Sequence, residues 1–261
     1  MKRTLLALAF VPLFCLGGCS SADKTPADPT DVSSDGDVAN PLYPFTLMRQ
    51  GSVYMQQGRY DDALDRFLEA ERLQPGNATV YNMAGLCYLR LNQYDQALAF
   101  FDRALSLVPN FTDARNNRGA TYLALEQYRM AEVDFVAVLA DNIYPHRWQV
   151  YYNLGMTYQA QDELIAAEEN FRRAARAPQP VYNAFLRLSE ILQLQGKIDQ
   201  AVAILEEAAI TFNRPSASLA LGRLLLQVGR SEEGCRHLEE LVANEPSSPE
   251  ADEARWLLAG S

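Results

Sequence analysis

From residue 44 onward, apolar side chains return at spacings of three and four, and short polar segments break the run at regular distances. The stretch Tyr81 to Pro109 shows the pattern most clearly, with Tyr81, Gly85, Tyr88, Tyr94, Ala97, Phe101, Ala104 and Pro109 as its fixed points. The same small and large residues recur before and after it. Gly51, Gly85, Gly119, Gly155, Ser189 and Gly222 follow one another at 34, 34, 36, 34 and 33 residues. A fixed step of this size marks a repeat architecture.

Spacings of three and four predict amphipathic helices, so each period reads as helix A, a short turn and helix B. A helical glycine costs about 1 kcal/mol against alanine, so its return in every helix A calls for a packing reason. We expect the glycines of helix A and the alanines of helix B to let two backbones approach, with tyrosine and phenylalanine filling the space beside them. Prolines such as Pro75, Pro109 and Pro246 stop helix B, because proline lacks an amide hydrogen and restrains the residue before it. Gln57-Gly58-Arg59 and Gln195-Gly196-Lys197 predict turns with glycine in the left-handed cap position. One pair cannot bury its apolar face, so the pairs must stack.

On these residues the chain resembles the tetratricopeptide-repeat family, most sharply in its first four periods. The resemblance implies an all-α, right-handed superhelical solenoid of about six helix pairs, spanning 44–77, 78–111, 112–147, 148–181, 182–214 and 215–248. Residues 249–261 are expected to form a capping helix, with acids in its first turn and Trp256, Leu257 and Leu258 covering the open end. Trp256 as a ligand platform is the alternative.

The N-terminus reads differently. Lys2 and Arg3 precede an apolar run from Leu5 to Leu16 and then Gly17-Gly18-Cys19, an export signal too short to span a membrane as a mature helix. Leu16 to Cys19 resembles the bacterial lipobox, which implies a signal peptide over 1–18 and acylation of Cys19. Several acyl chains would hold a membrane better than the single chain that binds only marginally. Ser20 after the cysteine resembles the Gram-negative sorting signal for the outer membrane, with the protein on its periplasmic face. Residues 19–43, rich in Ser, Asp, Pro and Thr, read as a flexible tether reaching about 25–30 Å.

Charge and chemistry narrow the function. The net charge of −10 argues against nucleic acid as the main partner. There is no HExxH, GxxxxGK[ST], GxSxG or CxxC. With only His146 and His237 available, a histidine-based metal or base site is not expected. No cofactor, metal, small-molecule substrate or catalytic residue is called for. Asp61, Asp62 and Asp65 suit a helix start, and Cys87 and Cys235 read as packing residues.

In the family named above, helix A lines a concave groove. The resemblance places Phe45, Met48, Ser52, Met55, Asn82, Leu86, Leu89, Asn116, Asn117, Tyr152, Asn153 and Met156 along it, with Ala120, Leu123 and Gln159 beside them. Amides can pair with a bound backbone, and Met and Leu adapt to varied apolar side chains, so a peptide segment or amphipathic helix suits this trough. A plainer reading stands beside it, in which the asparagines bond to neighbouring helices and the methionines are core. The basic clamp of chaperone-binding members is not matched, since Met48 and Asp113 stand where lysines would be wanted.

A lipobox, a tether and six such repeats resemble the pilotins of type IV pili, including the gliding-motility pilotin of myxobacteria. That resemblance implies secretin subunits as partners, brought to the outer membrane and assembled there, with no enzymatic step. An adaptor lipoprotein for peptidoglycan enzymes or proteases is the alternative.

Overall fold

The computed structural model describes residues 42–178 and 180–260; the expected signal peptide, Cys19 and the tether through residue 41 lie outside them. Among the described residues there are thirteen helices and no strand. The pairs are α1 (Tyr43–Gln56) with α2 (Tyr60–Leu73), α3 (Ala78–Arg90) with α4 (Tyr94–Leu107), and α5 (Thr112–Ala124) with α6 (Tyr128–Leu139). They continue as α7 (Arg147–Ala160) with α8 (Leu164–Ala175), α9 (Tyr182–Leu194) with α10 (Ile198–Phe212), and α11 (Pro215–Gln227) with α12 (Ser231–Asn244), followed by α13 (Pro249–Ala259).

Each turn within a pair closes in the same way. One residue takes a left-handed conformation: Gly58, Asn92, Glu126, Asp162, Gly196 or Gly229. The next amide then reaches back to a carbonyl in the last turn of helix A, as in Arg59 N to Tyr54 O at 2.9 Å and Gln93 N to Tyr88 O at 2.8 Å. This is a Schellman closure. The expectation for Gly58 and Gly196 holds, and Asn92, Glu126 and Asp162 reach the same geometry without glycine. Helix starts are less uniform: Asn77 caps α3 by accepting from Thr79 N and Val80 N, and Ser248 caps α13 by accepting from Ala251 N. Helices α2, α4 and α12 end two residues before Pro75, Pro109 and Pro246.

The packing reason for the glycines differs from the expectation. A Cβ on Gly51, Gly85, Gly119 or Gly155 would meet not backbone but the ring of Phe67, Phe101, Phe135 or Phe171, at 2.6–2.9 Å. Each ring is fully buried and lies 16 residues after its glycine. Backbones do approach in the sixth pair, where a Cβ on Gly234 would stand 3.1 Å from the Gly222 carbonyl oxygen. In the fifth pair Ser189 stands in place of the glycine and the smaller Leu205 in place of the phenylalanine, and the Ser189 hydroxyl donates to the Ala201 carbonyl at 3.3 Å.

Consecutive helices pack throughout, and odd-numbered helices also touch one another, α3 with α5, α5 with α7 and α11 with α13. The odd row is therefore the inner one. The two extra residues of the third repeat fall between α6 and α7, where Arg147 donates to the carbonyls of Leu139 and Asp141 and the Tyr144 hydroxyl donates to Asp113.

Helix α13 occupies the predicted span, but Trp256 does not cover the end. It is 73% exposed, while Ala251 and Ala254 supply the buried face and Leu257 and Leu258 pack against the sixth pair. The helical phase set by Ala251 and Ala254 turns residue 256 outward.

Candidate functional site

The predicted lining residues lie on the odd-numbered helices of the inner row. Near its start Phe45 is 55% exposed, and Met48 is partly buried against the core of the first two pairs. The Ser52 hydroxyl is bound to its own helix, donating to the Met48 carbonyl at 2.9 Å. Leu86 also packs on that core, and Leu89 beside it is half-buried.

Four predicted lining residues, Met55, Asn82, Asn116 and Tyr152, are buried. Met55 belongs to the core with Leu47, Tyr54 and Phe67. Tyr152 is buried with its ring 5.7 Å from that of Phe171. Burial pushes its hydroxyl upward in pKa, against the opposing charge of Arg187. The reason is that helix A buries a wide arc when it touches both its own helix B and the next pair.

The amides occupy the middle of the row. Asn117 Nδ2 donates to Asn82 Oδ1 across 3.0 Å, joining α5 to α3. Asn116 is buried, and its Oδ1 accepts no hydrogen bond among the described residues. Gln159 Oε1 on α7 is in the same condition. Asn153 and Met156 are half-buried on α7, and Met156 packs against the core of the fourth and fifth pairs. A buried acceptor without a donor is costly, so these two oxygens keep unused bonding capacity.

Charge enters beside this row. Arg118 forks onto Asp134 with two bonds of 2.8 and 2.7 Å and reaches Asp102 at 2.7 Å. These bonds hold the guanidinium protonated even more firmly than usual, against the cost of burial. Cys87, by contrast, is buried among apolar groups near Asp61, which pushes its thiol up to about 12.

Sequence reasoning missed a hollow of about 360 Å³ further along the inner row, between α9 and α11. Leu186, Leu219 and Ala220 form its apolar floor, and Glu190 and Arg223 stand at its edge. Arg187 engages Glu190 at 2.8 Å, and Arg223 bonds to Glu253 of α13. Glu190 and Arg223 follow Ser189 and Gly222 directly, so the glycine register could have pointed to them.

Tetratricopeptide-repeat profiles match residues 48–111, 149–179, 183–210 and 215–240. The chain is a tetratricopeptide-repeat protein. Solved tetratricopeptide-repeat structures resemble it over most of their length. The structure of PilW, a widely conserved type IV pilus biogenesis factor, aligns with a TM-score of 0.70 at 22% identity, covering 82% of this chain and 99% of PilW. PilF of Pseudomonas aeruginosa aligns at 0.66 and 19% identity, covering 81% and 96%. YrrB, a tetratricopeptide-repeat protein with an unusual peptide-binding site, aligns at 0.54 and 20% identity, covering 72% and 97%. At these identities the likeness is one of fold. A search of curated proteins finds no match.

Proposed function

We infer that this tetratricopeptide-repeat protein is a non-enzymatic scaffold that holds a protein segment along its odd-numbered helices. The observation that carries this reading is the inner row itself, whose helices carry the adaptable Met48, Leu86 and Met156 together with buried amide oxygens of Asn116 and Gln159 that lack donors. An extended backbone or a polar helix face supplies such donors. The full reading is a pilotin: a protein anchored through acylated Cys19 to the periplasmic face of the outer membrane, binding secretin subunits and promoting their assembly for type IV pili. The lipobox-like Leu16 to Cys19 and the fold shared with PilW and PilF support it.

The test is capture of secretin subunits by the full chain in its own envelope, compared between the parent and Asn116→Leu, a shape-conserving change that removes the free acceptor. The expected result is secretin in the parent capture and about a tenfold loss with Asn116→Leu, in line with one hydrogen bond to a buried group. Peptidoglycan enzymes in place of secretin would replace the pilotin reading with the adaptor one. Capture unchanged by Asn116→Leu would move the site off this row. Replacing Cys19 by serine is expected to release the protein from the membrane fraction.

A further inference from the structure

Helix α6 has an outer face unlike that of any other even-numbered helix. Residues 129, 130, 133, 136, 137 and 140 share an arc of about 120° at 100° per residue. On α2, α4, α8, α10 and α12 the equivalent six positions hold at least three charged residues each. On α6 they hold Arg129 alone, followed by Met130, Val133, Val136, Ala137 and Ala140. Met130, Val133 and Val136 are 50%, 64% and 52% exposed. Met130, Val133, Ala137 and Ala140 fall at the three-and-four alternation of a helix–helix seam.

The face is also self-complementary in an antiparallel sense. On its seam, Met130 and Val133 lie in the N-terminal half of the helix and Ala137 and Ala140 in the C-terminal half, with Val136 at the seam's edge. If a second copy is laid antiparallel with the two-fold axis level with residue 135, Met130 faces Ala140 and Val133 faces Ala137, large against small at both seam contacts. The same operation sets Arg129 opposite Asp141. Arg129 is exposed and makes no ion pair with another described residue. Asp141 accepts from Thr112 and from the Ile143 amide and, with two oxygens, has capacity left for a guanidinium. The cation also meets the negative end of the partner helix. An isologous interface requires this kind of match between one surface and its own rotated copy.

We propose that α6 is a homodimer interface, on which a second copy of this chain packs its own α6 antiparallel across Val133 and Ala137. This surface lies on the even row, opposite the inner row of the proposed function, and stands independently of that reading.

Two experiments on the full-length chain test it. Sedimentation equilibrium in density-matched detergent should show a monomer–dimer equilibrium. Val133→Glu should weaken dimerisation about tenfold or more by placing a charge in the seam, with its thermal unfolding midpoint unchanged as a check on folding. In cells carrying two differently tagged copies, Val133→Cys in one and Ala137→Cys in the other should cross-link several-fold more efficiently than Val133→Cys in both, with the parent chain as control. A parent that stays monomeric, or a dimer indifferent to Val133→Glu, overturns the proposal. Equal or greater cross-linking by Val133→Cys with itself overturns the antiparallel register.

Discussion

Gly155 and Phe171 are locked together: a Cβ on the glycine would stand 2.6 Å from the ring, and the ring is fully buried with nowhere to move. The same pairing at a separation of 16 residues recurs from Gly51 and Phe67 onward. It is the contact that sets how closely helix A approaches helix B in each of the first four repeats.

Gly155→Ala is therefore expected to destabilise the chain although it improves helix propensity. Overpacking of this kind costs about 1–3 kcal/mol, and the propensity gain returns about 1 kcal/mol. The fifth pair shows the compatible alternative in Ser189 with Leu205. In Gly155→Ser with Phe171→Leu the losses should be less than additive, with a coupling of about 1 kcal/mol or more in a double-mutant cycle of denaturant unfolding.

Asp134 is 2% exposed, and its carboxylate is satisfied chiefly by the fork from Arg118. Asp134→Ala leaves Arg118 with the exposed Asp102 as its remaining acid partner. Breaking such a pair costs about 3–5 kcal/mol when fully buried, and somewhat less here because Arg118 keeps some solvent. Asp102→Ala should cost under about 1 kcal/mol, as exposed ion pairs do. Thermal unfolding of the two variants gives the comparison.

Glu126 adopts φ +60° at the turn position where three other repeats have glycine. Left-handed backbone costs a non-glycine residue about 1–2 kcal/mol, and glycine gives back about 0.4–1 kcal/mol through the freer unfolded chain. Glu126→Gly is thus expected to raise stability by up to about 1 kcal/mol. Gly58→Ala, at φ +75°, should lower it by about 1 kcal/mol. Midpoints of denaturant unfolding check both signs.

Several acids are held protonated by the fold. Burial pushes the Cys87 thiol up to about 12, and burial together with the bond to Glu132 pushes the Tyr158 hydroxyl up to about 12. The ordinary values are 9.0 and 10.0. The folded state therefore holds protons that the unfolded chain releases first, so their stabilisation is complete below about pH 9 and is lost as pH rises toward 12. Denaturant midpoints should fall across that window, and less steeply in Cys87→Ala. Alkylation of Cys87 at pH 8 should track unfolding rather than occur in the native state.

The pairing of helices within each period, the A–B turns at Gly58 and Gly196, the ends before Pro75 and Pro109, and the presence of a helix after Pro249 were legible in the residues. They depend on signals within a few positions of one another, the 3.6-residue period, glycine's access to positive φ and proline's missing donor. The identity of the small residues was legible too, but not what they face. Whether Gly155 meets backbone or a ring depends on a residue 16 positions away.

Tertiary structure alone decided which members of the inner row are available. Asn82 bonds to Asn117 from 35 residues away, Tyr152 turns in against Phe171, and Asn116 is left buried with a free acceptor. The hollow between α9 and α11 and the bare face of α6 likewise exist only once the pairs are stacked. The local chain specifies each helix and its apolar stripe. The distance and rotation between helices, set by packing across whole repeats, determine which polar atoms find partners and which surfaces stay open.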